Sequence, residues 1–275
     1  MTLTDLFNPH TPNAAGMFAR LFCAALAVQV LLNFGQQYRF YMSQPAKLYG
    51  NGHKLLGLIS LPVLSRNQFL AAGGCFVICL LLVASGMYPR PAVFLALICC
   101  VLYFAQIMPL AYIQRKANLI PIVLLILLVS SSLNKPLSST STRWELTLVK
   151  LALAQIYFSA GLEKMRRSGF KWLNGAYLQA HLLENYLWTD RPAALAVASN
   201  LIVCAALSTF VLIFELTFAI VVFFPMLAFF YVGFALIFHV GTLITMRINY
   251  LKYLWPVYLV FFTNIAFHFK TILGL

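Results

Sequence analysis

Phe69-Leu70-Ala71-Ala72-Gly73-Gly74-Cys75-Phe76-Val77-Ile78-Cys79-Leu80-Leu81-Leu82-Val83-Ala84-Ser85-Gly86-Met87-Tyr88 runs for 20 residues without a charge. A helix needs about 20 apolar residues to cross roughly 30 Å of hydrocarbon. The rest of the chain reads the same way: 62% of its 275 residues are hydrophobic, 9% are charged and the mean hydropathy is +0.88. A water-soluble domain of this size has no core large enough to hide so much apolar surface. The chain therefore reads as an integral membrane protein.

Working outward, eight apolar segments qualify as spans: Gly16–Phe34, Phe69–Tyr88, Ala92–Ile113, Leu119–Leu133, Leu146–Leu162, Ala196–Phe224, Met226–Ile244 and Leu251–His268. Prolines, among them Pro192, Pro225 and Pro256, or nearby charges separate them. The segments lack the alternation of barrel strands, and an open sheet edge in lipid leaves backbone groups unpaired. The expected fold is all-α, a polytopic bundle of about eight transmembrane helices forming one domain over residues 1–275. The N-terminus has no basic region before an apolar stretch, its first basic residue being Arg20 inside the first span, so no cleaved signal is expected.

Nineteen lysines and arginines against six acidic residues leave a net charge of +13. Alternate connections divide 17 of these basic residues thirteen to four, with Arg20 and Lys150 falling inside spans. The positive-inside rule then places the Lys164 end at the cytoplasm and both termini outside it. Basic residues scattered over membrane-flanking loops, with no basic run, argue for anionic headgroups and against nucleic acid. All six cysteines lie in apolar spans with no Cys-x-x-Cys pair, which reads as buried, inert thiols.

The connector 164–195 interleaves Phe170, Trp172, Leu173, Tyr177, Leu178, Tyr186 and Trp188 with Lys171, His181 and Glu184. Such a pattern belongs at headgroup depth, either as an anchor between two spans or as a lid over a site.

Ionisable residues inside spans are costly and therefore informative. Glu215 sits in Val211-Leu212-Ile213-Phe214-Glu215-Leu216-Thr217-Phe218, where a carboxylate must be paired or protonated. If Pro225 turns one helix into the next, Glu215 and His239 lie about 15 and 21 Å below it, with the Lys164 Cα about 27 Å down its own span. The arithmetic predicts a Glu215–His239 pair with the Lys164 stem reaching toward it. Tyr157, Gly161 and Lys164, at i, i+4 and i+7, share one helix face. A topology-setting role for Lys164 beside Arg166 and Arg167, and a structural role for Glu215 and His239, fit the same residues.

Ile156-Tyr157-Phe158-Ser159-Ala160-Gly161-Leu162-Glu163-Lys164, then Trp172, Gly175 and Tyr177, and further on Phe214-Glu215-Leu216, Pro225 and Phe238-His239, resemble the vitamin K-dependent gamma-glutamyl carboxylases and the bacterial horizontally transferred transmembrane (HTTM) domain proteins. The resemblance implies that Lys164 is the catalytic base linked to hydroquinone oxidation, with Glu163 where the carboxylases carry a first lysine. His239 and Glu215 join it as catalytic residues, and Tyr157, Gly161 and Trp172 become candidates for binding a quinone or hydroquinone cofactor. No metal is expected. At Lys116-Ala117-Asn118-Leu119 the carboxylases carry an Asn-His pair and this chain does not, which argues against glutamate carboxylation. The shorter bacterial branch includes a membrane protein that matures a sporulation-delaying toxin. By that likeness the expected role is maturation of a small secreted or antimicrobial peptide, with a soluble protein as a further partner. The alternatives are a non-catalytic assembly or export factor for a peptide toxin and a quinone-associated subunit of an oxidoreductase.

Overall fold

The computed structural model describes residues 11–43, 53–55, 59–61, 63–87, 89–107, 118–135, 140–141 and 144–273. Each of the eight apolar segments contains helix. Among the described residues five helices are long and apolar enough to cross a membrane, or six if one bent pair counts as a single span. Leu119–Val129 and Leu251–Thr263 are shorter apolar helices. Two short antiparallel pairings, Thr11–Pro12 with Thr140–Ser141 and His53–Leu55 with Ile59–Leu61, are the strands present among these residues. The helices gather into two compact units.

The first unit comprises α1 (Ala14–Ser43), α2 (Arg66–Ser85), α3 (Pro89–Ile107), α4 (Leu119–Val129) and the flanking parts of two further helices. Ser65 and Gln68 form a reciprocal cap at the start of α2, satisfying backbone donors that a helix end otherwise leaves unpaired. Gly86 ends α2 at φ +80°, with the Arg20 guanidinium lying where a side chain would project. Aromatic rings fill the interior: Phe69 stacks on Tyr103 with centroids 5.0 Å apart, and the missing side chain of Gly73 leaves room for Phe34 and Tyr103. Buried polar groups are met, Tyr103 by Gln37 at 2.5 Å and Glu145 by the Ser130 hydroxyl at 2.8 Å.

The second unit, Lys150–Leu254, holds most of α5 (Trp144–Ser168), a 3₁₀ turn over Gly169–Asn174, α6 (Ala176–Thr189), α7 (Pro192–Ala198), α8 (Leu201–Thr217), the single turn α9 (Ile220–Phe223), α10 (Ala228–Met246) and the start of α11 (Leu251–Leu273). Leu182 of α6 is buried against Ala194, Ala198 and Cys204, and Gln179 donates to the Ala198 carbonyl at 2.7 Å. These contacts fix α6 on the α7–α8 corner.

Several boundaries differ from the sequence reading. Ala196–Phe224 is not one helix: α7 and α8 meet at 96°, because the Asn200 side chain accepts from the Ile202 and Val203 amides and starts a new helix there. That segment breaks again after Thr217, and Phe218–Leu227 turns the chain gradually instead of at Pro225 alone. The span ending at Leu162 continues to Ser168, carried by the Glu163–Arg167 ion pair at i,i+4 and stopped by Gly169 at φ +56°. Leu119–Leu133 is helical only to Val129, with a 3₁₀ turn following. Pro256 lies inside α11, where its missing N–H removes one backbone hydrogen bond. Ala92–Ile113 is helical to Ile107, and its remainder, like Tyr88 and Lys116-Ala117, lies outside the described residues.

Asn200→Ala is expected to destabilise the α8 start by about 1 kcal/mol. Thermal unfolding in detergent should show a lower midpoint for Asn200→Ala and a near-wild-type one for Asn200→Asp, which keeps the cap.

Candidate functional site

Lys164, two turns beyond Tyr157 on α5, projects toward α8. Its ammonium donates to Glu215 Oε1 at 2.6 Å and also contacts Oε2. Only 4% of the Glu215 side chain and 23% of the Lys164 side chain are exposed, so the two opposite charges meet largely out of water. The approach depends on Gly161, one turn before Lys164. A methyl group there would lie 3.0 Å from Leu216 Cδ2 and 3.1 Å from Glu215 Cβ, tighter than ordinary van der Waals contact.

Above the amine lies an aromatic wall. The Trp172 ring centroid is 5.6 Å from Lys164 Nζ, a cation–π contact that strengthens where water is scarce. Trp172 in turn stacks on Tyr177 at 5.9 Å, with His181 beyond it. Its indole N–H is buried and has no hydrogen-bond partner among the described residues.

The second polar pair joins α5 to α10. Tyr157 Oη and His239 Nε2 are 2.7 Å apart, both residues are buried, and Tyr250 meets the His239 ring edge-on at 5.5 Å. Tyr157 also stacks on Phe218 at 4.3 Å. Seven residues of helix separate Tyr157 from Lys164, about 10 Å along the axis. The unit therefore brings the six expected site residues together along α5: Glu215 is met by Lys164 and His239 by Tyr157, in place of the expected Glu215–His239 pair, with Gly161 against Glu215 and Trp172 over the amine.

The sequence reading missed the Tyr157–His239 link and the ring of Trp172 over the amine. It also gave no site role to Gly175, at φ +81°, whose missing side chain admits the Ala205 backbone. A Trp-x-x-Gly spacing at a helix boundary was the available signal.

Residues 123–267, just over half of the 275-residue chain, match the HTTM domain. The chain belongs to the HTTM family. That family is one of membrane proteins like the vitamin K-dependent carboxylases, and the matched region contains both polar pairs and the Trp172 wall. Comparison with curated proteins and with solved structures found no match. As an HTTM protein with several membrane-crossing helices, it is an integral membrane protein surrounded by lipid.

Lys164→Ala strands a buried carboxylate and is expected to cost about 3–5 kcal/mol, with part recovered when Glu215→Gln is added. A double-mutant cycle on unfolding of the reconstituted protein measures this coupling; additive losses would contradict it. Gly161→Leu is expected to force α5 and α8 apart and to abolish the coupling while Lys164 and Glu215 remain.

Proposed function

We propose that this HTTM protein is a membrane enzyme that modifies a small hydrophobic secreted peptide during maturation, with the Lys164–Glu215 pair as its proton-exchanging centre. The carrying observation is a lysine and a carboxylate in direct contact, largely buried, inside a membrane-spanning unit. A lone lysine at that depth becomes basic only by shedding a proton to water. Here the ammonium proton can pass to Glu215, leaving a neutral amine beside a neutral acid, and the pair carries no net charge before or after the transfer. The neutral Lys164 amine can then accept a proton from a substrate in contact with it.

His239, on α10, meets Tyr157, two turns before Lys164 on α5. Its part is to fix α10 against α5 and so keep α8, which carries Glu215, in place. Gly161 acts by permitting close approach, a positioning role more than a cofactor contact. The unpartnered Trp172 N–H and the Lys164 amine are donors suited to a quinone or hydroquinone oxygen. A quinone bound there would supply redox chemistry coupled to the proton transfer. The 164–195 connector, with Phe170, Leu187 and Trp188 largely exposed, fits an interfacial segment. The likeness to the bacterial branch argues for a bacterial inner membrane, and the loop charges argue for Lys164 toward the cytoplasm with the termini outside.

One observation favours a second reading. Lys164 meets both oxygens of Glu215 across the closely packed α5–α8 contact, which also describes a structural clamp in a non-catalytic assembly or export factor that gathers a toxin peptide and a soluble partner. Lysine and arginine separate the two readings, because arginine keeps the ion pair and cannot give up its proton. Mass spectrometry of secreted peptides from cells complemented with each variant is expected to show mature product lost with both Lys164→Ala and Lys164→Arg. Normal product with Lys164→Arg would favour the assembly role.

A further inference from the structure

The Gly169–Asn174 turn has two unlike ends. Gly175, at its C-terminal end, has φ +81° and lies so close to the Ala205 and Cys204 backbone that any side chain would overlap it. The helix that follows is held down by Leu182 and by the Gln179–Ala198 hydrogen bond. Gly169, at the other end, has φ +56° and nothing within 4 Å of where a side chain would project. One end is clamped by its neighbours, and at the other open space lies where a side chain would project.

Between them, Phe170 is 77% exposed and Lys171 and Asn174 face outward, while Trp172 turns inward over the Lys164 amine. Its ring gains the cation–π contact, yet its buried N–H finds no acceptor among the described residues. Burying an unsatisfied donor is unfavourable, so the closed position is opposed from within by the same side chain that closes it. A left-handed glycine at the open end lets the turn relax at little conformational cost.

We propose that residues 169–174 form a hinged cap, turning at Gly169 with Gly175 as the fixed end, which must lift Trp172 off the Lys164 amine before a ligand reaches the Lys164–Glu215 pair. The inference deepens the proposed function, because a cap has a purpose only if Lys164 is a site that ligands visit. Opening exposes the amine and turns the indole N–H toward the incoming molecule, so a ligand bearing an acceptor oxygen satisfies the donor that the closed state leaves unpaired. Reaction is thereby confined to a closed, dry site between two openings.

The cap is tested without substrate, by acetylation of Lys164 with N-acetoxysuccinimide in the purified full-length protein. Peptide mass spectrometry reads the rate at Lys164 against that at exposed Lys171. An alanine at Gly169 disfavours the left-handed closed conformation, so Gly169→Ala is expected to raise the Lys164/Lys171 ratio about fivefold. Trp172→Ala should raise it at least as much. If either variant, with an unchanged thermal unfolding midpoint, leaves the ratio at the wild-type value, the hinged cap is wrong. Because the readout needs neither peptide nor turnover, it stands apart from the base assignment: a cap that opens over a lysine dispensable for maturation would sink the proposed chemistry and leave the cap in place.

Discussion

A carboxylate in the last turn of an apolar helix, buried away from water, has to be paired or protonated, and how Glu215 is met organises the second unit of this protein. An unpaired charge in hydrocarbon is costly, so Glu215 has to be either protonated or set against a cation. Lys164 supplies that cation from α5. The two helices can come close enough only because position 161 has no side chain. Trp172 covers the same amine with its ring, 5.6 Å from Nζ.

The Tyr157–His239 pair extends this logic one layer deeper. His239 is fully buried on a helix with few polar residues, and a tyrosine hydroxyl is a partner that needs no charge. Tyr157 simultaneously stacks on Phe218, just past the end of α8. One side chain thus ties α5 to the α8–α9 turn and to α10. Two polar pairs two turns apart on α5 specify the register of three helices in a way that interchangeable apolar contacts cannot.

Much of this was legible before any coordinates. Uncharged runs such as 69–88 declare helices through hydropathy, and Glu215, Lys164 and His239 stand out because ionisable groups are scarce in spans. The gamma-glutamyl carboxylase-like pattern around Gly161 pointed to the HTTM family. What the sequence did not disclose was pairing. Depths counted from a sharp turn at Pro225 put Glu215 nearest His239, whereas the turn is spread over Phe218–Leu227 and α5 runs past Lys164 to Ser168. A depth count from one sharp turn therefore does not fix which side chains meet, and the carboxylate is met by Lys164 while His239 is met by Tyr157. The 96° corner at Asn200 was hidden for a related reason: two small polar residues interrupt the apolar run too briefly to lower its hydropathy, and capping is a local backbone event. Glu145 was visible as an acid at a helix start, but its complete burial beside Ser130 depends on a neighbouring helix end.

The contact between Lys164 Nζ and the Glu215 carboxylate is most directly tested by solid-state NMR of the protein in lipid bilayers, with ¹⁵N-labelled lysine and ¹³C-labelled glutamate. With only six acidic residues in the chain the spectrum is sparse, and Glu215→Gln assigns the signal. The account predicts a strong dipolar coupling between the Lys164 side-chain nitrogen and the Glu215 carboxyl carbon that disappears in that variant. A Glu215 carboxyl signal with no coupling to any lysine nitrogen would contradict it.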